Sequence, residues 1–484
     1  MVNPNQAPLI EVLQKVAMNS QVPFFTPGHK RGQGMASVLR QWWGAEVFQA
    51  DLPELPELDN LLAPSGVLQQ AQDLAAAAFG ASQTWFLTNG STAGIVAAIL
   101  ATCGEGEKIV LPRNVHQSVI SGLVLSGAMP VFVEPAYDEV WGIAGGVTPS
   151  AVAGALTNHR DAKAVMLVSP TYYGVASDLE AIANIVHQYE IPLLVDEAHG
   201  AHFGFHPSLP PSAMASGADL AVQSTHKVLG AMTQAGMLHC QGERIDRQRL
   251  RQSLAMVQSS SPSYILLATL DAARQQMALQ GRELMANALA LGDRAAVELQ
   301  QVAGVEVWEP TQFPRRDRSR ITVDVSQLAG GGYEVDVLLH EEFGVTCELP
   351  TPYHLMFLIT FGNTEEDIDQ LVGAFCAVVR QGGRNFDGRI VLPAIPRPAL
   401  ACSPRQAFYA AQETVSWRQA RDRISAVSVC PYPPGIPLLV PGEVISEAAI
   451  AYLAQVQDSG GTIVGCSDTD EQTIAVLAED PKNA

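Results

Sequence analysis

The sequence predicts an α/β protein in which a mainly parallel sheet is flanked by helices and is followed by a smaller α+β domain. Between residues 84 and 223, short apolar segments alternate with Ala-rich helical segments. This alternation is typical of parallel strands covered on both faces. The pattern then turns helical from residue 263 to about residue 302, and two further strand–helix pairs follow. Those later pairs predict the smaller domain.

The elements of the main sheet are predicted from short apolar runs that end in small or polar residues. The strand candidates are residues 84–87, 108–111, 130–133, 165–168, 192–195 and 220–223. The helices between them are expected at 91–102, 115–126, 149–158 and 178–189. The smaller domain should hold strands at 320–325 and 356–361, a helix at 333–343, and a helix that opens at Thr364 with Asp367 as its capping partner.

A chain of 484 residues exceeds what one hydrophobic core usually serves, so several domains are expected. We predict an N-terminal segment at 1–62, a large domain at 63–310, a small α+β domain at 311–390 and a C-terminal domain at 391–484. The Pro-rich stretch 392–398 marks the last boundary.

The composition is that of a globular protein, with 47% apolar and 16% charged residues. A formal net charge of −20 disfavours nucleic acids and anionic membranes as partners. The seven cysteines are scattered without a C-x-x-C pair, so neither disulfides nor a zinc site are expected. The N-terminus lacks a signal-peptide pattern, and no apolar stretch is long enough to span a bilayer. We therefore expect a cytoplasmic protein.

Chemically active side chains follow three of the predicted strands. Gly90, Ser91 and Thr92 lie in a turn between a strand and a helix, where backbone N–H groups can bind an anion. Asp196 ends an apolar strand, and a carboxylate buried there needs a cationic partner. Lys227 closely follows the next strand and can become a partly desolvated, nucleophilic amine. Because parallel strands end at one edge of a sheet, these groups predict one site.

Five motifs are spread along the chain: Thr-Pro-Gly-His-Lys at 26–30, Ser-Pro-Thr-Tyr-Tyr-Gly at 169–174, Asp-Glu-Ala-His-Gly at 196–200, Ser-Thr-His-Lys at 224–227, and Tyr-Pro-Pro-Gly-Ile-Pro at 432–437 followed by Pro-Gly-Glu at 441–443. Together they resemble the ornithine/lysine/arginine decarboxylase family of fold-type-I enzymes, which use pyridoxal 5′-phosphate (PLP). The resemblance runs from about residue 23 to residue 443, and residues 224–227 with Gln234 and Ala235 are its most specific part. It implies PLP-dependent decarboxylation of a basic amino acid.

The resemblance also implies which residues bind the cofactor. Lys227 would carry PLP as a Schiff base, Asp196 would keep the pyridine nitrogen protonated, and His116 would stack on the ring. His199 and Thr171 would lie near the ring edge. The residues expected to hold the phosphate are Gly90, Ser91, Thr92, Ser224 and His226.

The same resemblance makes Lys227, Asp196, His226 and His199 the expected catalytic residues. Lys227, His226 and water remain alternative proton donors at Cα. Geometric control of the bond that breaks matters more than acid strength, because the cofactor supplies most of the electronic effect.

An aminotransferase or an aldolase of the same fold is the main rival interpretation. Such aminotransferases usually carry one arginine for the substrate carboxylate and another for the cofactor phosphate, where this chain has Leu358 and Ala235. The Asp-Glu-Ala-His motif at 196–199 also occurs in helicases. A helicase would need a phosphate-binding loop with a Gly-Lys dipeptide, which this chain does not contain, so that function is excluded. A metal site at His199, His202 and His206 is not expected, because glycine and proline interrupt the helix that it would need.

The expected substrate is L-arginine, which would be converted to agmatine and CO2 in polyamine biosynthesis, with lysine or ornithine as alternatives. Short members of the family include many arginine decarboxylases, and several acids could meet the five donors of a guanidinium. The candidate acids are Glu54, Glu57, Asp59, Glu348 and Glu443. We favour Glu443, because Pro441 and Gly442 fix its direction, although it could instead cap a helix that begins near Ser446.

The resemblance further implies a site built at a dimer interface. The motif at 26–30 begins close to the start of the sequence. We therefore expect a homodimer or a tetramer rather than the decamer formed by large relatives with an extra leading domain.

Overall fold

The computed structural model describes residues 3–328, 330–381, 398–432, 436–458, 460–466 and 472–478. Its helices, numbered in chain order, are α1 (Pro8–Ala17), α2 (Ser37–Trp43), α3 (Glu46–Ala50), α4 (Val67–Phe79), α5 (Gly90–Thr102), α6 (Gln117–Ser126), α7 (Pro149–Asn158), α8 (Leu179–His187), α9 (Thr225–Val228), α10 (Arg247–Val257), α11 (Tyr264–Leu299), α12 (Gly331–Phe343), α13 (Glu365–Arg380), α14 (Pro404–Tyr409), α15 (Trp417–Ala420) and α16 (Glu447–Asp458). A single 3₁₀ turn is described at Phe203–Phe205.

The strands, numbered in the same way, are β1 (Gln83–Leu87), β2 (Lys108–Pro112), β3 (Met129–Val133), β4 (Tyr137–Asp138), β5 (Ile143–Ala144), β6 (Ala164–Val168), β7 (Leu193–Asp196), β8 (Leu220–Gln223), β9 (Gly236–Cys240), β10 (Glu306–Val307), β11 (Arg320–Asp324), β12 (Leu349–Pro350), β13 (His354–Leu358), β14 (Gln412–Ser416), β15 (Cys430–Tyr432), β16 (Thr462–Val464) and β17 (Thr473–Leu477).

The chain divides into two compact units, each assembled from separate stretches of sequence. The described residues of the first unit belong to Met1–Thr102, Ala164–Ser169 and Leu179–Leu284. Those of the second unit belong to Cys103–Lys163, Pro170–Asp178 and Met285–Ala484. The three boundaries between the four domains expected from the sequence remain predictions.

Five strands of the first unit form a mixed sheet. Strands β6, β7 and β8 are parallel neighbours. Strand β9 pairs antiparallel with both β8 and β1. Every residue of β7, β8 and β9 is buried. Since a parallel sheet is covered on both faces, this burial explains why these strands are almost wholly apolar.

Helix α5 lies directly against this sheet because Gly94 gives it room. A Cβ atom at Gly94 would lie 2.7 Å from a methyl group of Val222 and 2.8 Å from one of Leu87, closer than real Cβ atoms approach. The glycine therefore lets the helix pack tightly next to the ends of β1 and β8.

The second unit contains several smaller sheets. Strands β2 and β3 pair in parallel, and β10, β11, β13 and β12 form an antiparallel sheet in that order. The apolar side chains of β11 and β13 pack with α12 and α13 around Phe357 and Phe375. A separate core near the C-terminus contains Trp417, Leu439, Leu453 and Val476. Each of these large apolar side chains contributes roughly 1.5–3 kcal/mol by leaving water.

The structure confirms the predicted fold class and places all the predicted strands and helices within a few residues of their expected ends. The helix expected at Thr364 begins with the predicted capping box, in which Thr364 and Asp367 bond reciprocally. Strand β9 was not predicted. Among the described helices, none combines the length and the apolar character needed to cross a bilayer.

Candidate active site

The amine of Lys227 lies at the end of β8, on the short helix α9. Its Nζ atom is 3.0 Å from Nε2 of His199, which follows the end of the neighbouring strand β7. Lys227 is half-buried, whereas His199 is buried. An ammonium can only donate a hydrogen bond, so a charged Lys227 requires a neutral His199 with its proton on Nδ1. The pair therefore gives the amine a neighbour that can accept its proton.

Asp196 is the last residue of β7 and is 4% exposed. Its Oδ1 atom accepts a hydrogen bond of 3.1 Å from the backbone N–H of Ala198, which fixes the direction of the carboxylate. A carboxylate held at this depth is stabilised by a cationic group placed against it. The strand end is therefore suited to a ligand that carries a protonated nitrogen.

An anion-binding turn lies between β1 and the start of α5. The hydroxyl of Ser224 donates to that of Ser91 at 2.7 Å, so this hydrogen bond joins the end of β8 to the start of α5. Gly90 has a φ of +71°, and Thr92 is exposed. The first N–H groups of a helix have no intrahelical acceptor and carry positive potential. With two serine hydroxyls beside them, they suit a phosphate.

Gly236 on β9 allows the backbone of this turn to lie close to the end of β8. A Cβ atom at Gly236 would lie 2.8 Å from the carbonyl oxygen of Gln223 and 3.4 Å from the backbone nitrogen of Ser91. Any larger residue would push the Ser91 turn away from the end of β8.

The loop after Lys227 joins the amine to the anion-binding turn. Gln234 has a φ of +84°, and its side-chain amide donates to the carbonyl oxygen of Thr88 at 2.6 Å. Its backbone carbonyl oxygen accepts from the N–H of Gly90 at 3.0 Å. The carbonyl oxygen of Ala235 lies 2.9 Å from Nδ1 of His226. A carbonyl can only accept, so His226 carries a proton on Nδ1. The sequence motif included Gln234 and Ala235 but did not reveal these contacts.

The first unit thus brings together seven of the residues expected to bind the cofactor: Gly90, Ser91, Thr92, Asp196, Ser224, His226 and Lys227. It also places His199 beside Lys227. This cluster combines the Lys227 amine, the buried Asp196 carboxylate and the anion-binding turn between β1 and α5.

The other expected site residues belong to the second unit. His116 precedes α6 and accepts a hydrogen bond of 3.1 Å from the N–H of Ser118 on its Nδ1 atom, so a neutral His116 carries its proton on Nε2. Thr171 is buried, and its hydroxyl oxygen accepts from the N–H of Val175 at 3.3 Å. Their roles toward a cofactor stay predictions.

Glu443, the acid favoured for the substrate, has a partner within its own unit. Its Oε2 atom lies 3.0 Å from Nη2 of Arg113 and accepts from the N–H of Val440 at 2.8 Å. Arg113 also stacks over the ring of Phe132. Glu443 is 1% exposed, and burial raises its pKa to about 7, while Arg113 and the Val440 N–H oppose that rise. The alternative role as a helix cap is not seen, because Ser446 caps the helix with its own hydroxyl.

Three of the other candidate acids also accept hydrogen bonds from donors in their own unit. Glu54 accepts from the side chain of Asn60 and from the N–H of Leu61. Asp59 accepts backbone hydrogen bonds from a following turn, which lower its pKa despite its partial burial. Glu348 accepts from the hydroxyl of Tyr172 at 2.6 Å. Of the 432–437 motif, the structure describes Ile436, Pro437 and the backbone of Tyr432, whereas residues 433–435 lie outside the described residues.

Residues 200–206 contain a turn and one 3₁₀ turn rather than an α-helix. Within the described ranges, no group of three or more His, Cys, Asp or Glu side chains is arranged to hold a metal ion.

Two family models match the chain. The model described as the major domain of Orn/Lys/Arg decarboxylase matches residues 7–323. The model of the C-terminal domain of the same family matches residues 394–469.

Individual relatives extend over nearly the whole chain. The arginine decarboxylase of Bacillus subtilis (strain 168) is 39% identical over 484 residues, which cover 98% of each chain. The lysine decarboxylase LdcA of Pseudomonas aeruginosa is 25% identical over 562 residues, which cover 92% of this chain and 75% of LdcA. The crystal structure of the lysine decarboxylase LdcF of Francisella novicida has the same fold, with a TM-score of 0.85 at 21% identity, over 98% of this chain and 81% of LdcF.

These matches confirm the resemblance carried by the sequence motifs. Because the major-domain model alone covers well over half of the chain, and a relative of equal extent is 39% identical, this chain belongs to the Orn/Lys/Arg decarboxylase family.

Proposed function

We propose that this chain is a PLP-dependent decarboxylase that converts L-arginine to agmatine and CO2. The observation that carries the proposal is the cluster in the first unit, where the Lys227 amine, the buried Asp196 carboxylate and the anion-binding turn before α5 lie at the ends of β8, β7 and β1, and Ser224 bonds Ser91. The preference for arginine is supported by the 39% identity to the B. subtilis arginine decarboxylase, against 25% to the lysine decarboxylase LdcA.

The residues of this cluster fit the three polar parts of PLP. The Lys227 amine suits the aldehyde, Asp196 suits the protonated pyridine nitrogen, and the start of α5 suits the phosphate. The phosphate contacts proposed for side chains are those of Ser91, Thr92, Ser224 and His226. When bound, PLP withdraws the electrons that the departing CO2 leaves on the substrate Cα.

The chain's own contribution is to orient groups and to move one proton. Asp196 is directed by the Ala198 N–H, so its charge is fixed without rearrangement during the reaction. His199 lies within 3.0 Å of the Lys227 Nζ atom and can take a proton from it, which frees the amine as a nucleophile. The same Nζ atom, reprotonated, is the proposed donor to the substrate Cα. His226 and water remain the alternatives to that donor.

Transamination is the less favoured reaction. Leu358 and Ala235 stand where aminotransferases of this fold usually carry their arginines. A bidentate clamp on the substrate carboxylate would stabilise the charge that a decarboxylase must lose.

The substrate preference is tested with the purified wild-type protein supplied with PLP. We expect CO2 release from arginine to exceed that from lysine or ornithine at equal concentration by at least about tenfold in kcat/KM. The amine product is identified by mass spectrometry, and agmatine is expected. Faster turnover of lysine or ornithine would contradict the arginine assignment while leaving the decarboxylase assignment intact.

The Glu443→Gln variant distinguishes a structural role of Glu443, as the counter-ion of Arg113, from a role in substrate binding. Since Oε2 is already held by Arg113, we expect the variant to lose stability, by about 3 kcal/mol, because it leaves a buried guanidinium without its counter-ion. Chemical denaturation measures this loss, and the KM for arginine should stay within about twofold.

The opposite result would support the substrate role predicted from the sequence. In that case the KM for arginine rises at least about tenfold while the free energy of unfolding stays nearly constant. Arg113→Met is the companion variant. It should match the stability loss of Glu443→Gln only if the two residues act as a pair.

We further propose a cytoplasmic homodimer or tetramer that acts in polyamine biosynthesis. The family membership supports the dimer, and the amine product is a polyamine precursor. The net charge of −20 argues against nucleic acid or an anionic membrane as a partner.

A further inference from the structure

A line of four buried polar side chains crosses the sheet of the first unit, one step behind the proposed active site. In the structure, Nε2 of Gln223 donates to Oε2 of Glu197 at 2.8 Å, and Oε1 of Gln223 lies 3.0 Å from Nε2 of His239. Nδ1 of His239 lies 2.8 Å from the hydroxyl of Thr84. All four residues are at most 2% exposed. The line therefore connects the ends of β7 and β8 to β9 and β1.

The neighbours of this line in sequence are the proposed catalytic residues. Glu197 follows Asp196 directly, and Gln223 precedes Ser224, which is bonded to Ser91. The other carboxyl oxygen of Glu197 accepts from the N–H of Ala213 at 2.7 Å. A displacement of Glu197 or Gln223 would therefore move the strand ends that carry Asp196 and Lys227.

The chemistry of the line allows two directions of hydrogen bonding. In one direction an ionised Glu197 accepts from the amide of Gln223, whose oxygen accepts from His239 Nε2–H, and Thr84 donates to Nδ1. In the other direction a protonated Glu197 donates to the amide oxygen, the amide donates to His239 Nε2, and His239 Nδ1–H donates to Thr84. The same side-chain positions serve both directions, because a carboxamide turned by 180° exchanges its donor and acceptor.

Burial decides between these directions. The hydrogen-bond partners of Glu197 among the described residues, Gln223 and Ala213, are uncharged, so the ionised form would lack a counter-ion. Among the residues that the structure describes, the reversed direction leaves the Thr84 hydroxyl hydrogen without an acceptor, which costs less than a buried carboxylate without a cation. Burial raises the pKa of Glu197 to about 8 and lowers that of His239 to about 3. Both groups are thus neutral at pH 7.

We propose that Glu197 is a positioning residue, which donates its carboxyl proton into the line through Gln223 and His239 to Thr84 and so holds the strand ends of Asp196 and Lys227. This inference rests on the proposed function, because Asp196 and Lys227 are its catalytic residues. Glu197 itself needs no contact with substrate or cofactor.

The first test is the tautomer of His239, read from ¹⁵N NMR of the full chain labelled in histidine. His239→Gln assigns the signals. At pH 7 the wild type should carry the proton on Nδ1 and should convert to Nε2–H as the pH rises through about 8. Glu197→Gln keeps a donor toward Gln223 and should hold the Nδ1–H form at every pH. An Nε2–H form at pH 7 would overturn the proposed direction.

The second test separates positioning from simple stability. Glu197→Met preserves the size of the side chain and removes its proton, and kcat should fall at least about tenfold with KM unchanged. Glu197→Gln should restore kcat to within about threefold of the wild type. Gln72→Met is the matched control, because Gln72 is a buried residue that bonds the N–H of Phe86 in the same sheet and lies off the line.

The Gln72→Met variant shows whether the loss of any buried polar side chain next to the sheet lowers kcat. Gln72→Met should lower the melting temperature without a change in kcat. An unchanged kcat in a folded Glu197→Met, or an equal fall in Gln72→Met, would refute the positioning role. If the wild type released no CO2 from any basic amino acid, the proposed function would fail, whereas the tautomer measurement would still decide the direction of the line.

Discussion

Replacement of Lys227 by alanine is expected to reduce kcat for arginine by at least about a thousandfold, which is the scale of removing a nucleophile from an active site. Lys227 is the proposed attachment point of PLP and the proposed proton donor, so one substitution removes both contributions. Its Nζ atom is the group paired with His199, whereas the bond from its backbone N–H to the carbonyl oxygen of Ser224 is kept by alanine. The melting temperature should therefore change little. Initial rates of CO2 release and a thermal melt measure the two effects.

Chemical trapping gives an independent measurement of the same assignment. Borohydride reduction of the wild type in the presence of PLP should fix the cofactor on the peptide that contains Lys227, as read by mass spectrometry. Lys163→Ala is the control, because Lys163 is about half exposed and has only a loose ion pair with Glu107. It should keep both the activity and the labelled peptide. A reduced adduct on another lysine, or an active Lys227→Ala variant, would contradict the assignment.

The main sheet could be predicted because each of its strands is a short apolar run between polar turns. Strand β9 escaped prediction for a physical reason. The expected alternation assumes a helix between successive parallel strands, whereas β9 pairs antiparallel with β8 and needs no crossover helix. The residues from 229 to 235 form an irregular loop with Gln234 at positive φ, which the periodicity of the sequence does not reveal.

The site was predictable to the extent that it depends on strand ends. Lys227 and Asp196 could be found because each follows an apolar run, and neighbouring parallel strands end at one edge. The partners of these residues depend on tertiary packing instead. Glu443 and Arg113 lie 330 positions apart in sequence, and no local pattern links them. Likewise, Gln223 and His239 look like ordinary strand residues until the sheet places them side by side.

Replacement of Asp196 by asparagine is expected to lower kcat by about 10²- to 10⁴-fold, the range in which a single preorganised electrostatic or proton-holding group contributes to catalysis. Asparagine keeps the size of the side chain and can still accept from the Ala198 N–H, so the strand end should keep its shape. It lacks the negative charge that is proposed to keep the cofactor nitrogen protonated. The KM for arginine should stay within about threefold, because the substrate does not touch this carboxylate in the proposed arrangement.

Asp219→Asn provides the matched control for this loss of charge. Asp219 is also a buried aspartate, but it lies at the opposite ends of β7 and β8, where it bonds the N–H of Leu193 and pairs with His187 and Arg244. Its replacement should lower the melting temperature and leave kcat nearly unchanged. If Asp196→Asn kept near-normal turnover, or if both variants lost activity in proportion to stability, Asp196 would have a structural role and the electrostatic one would be excluded.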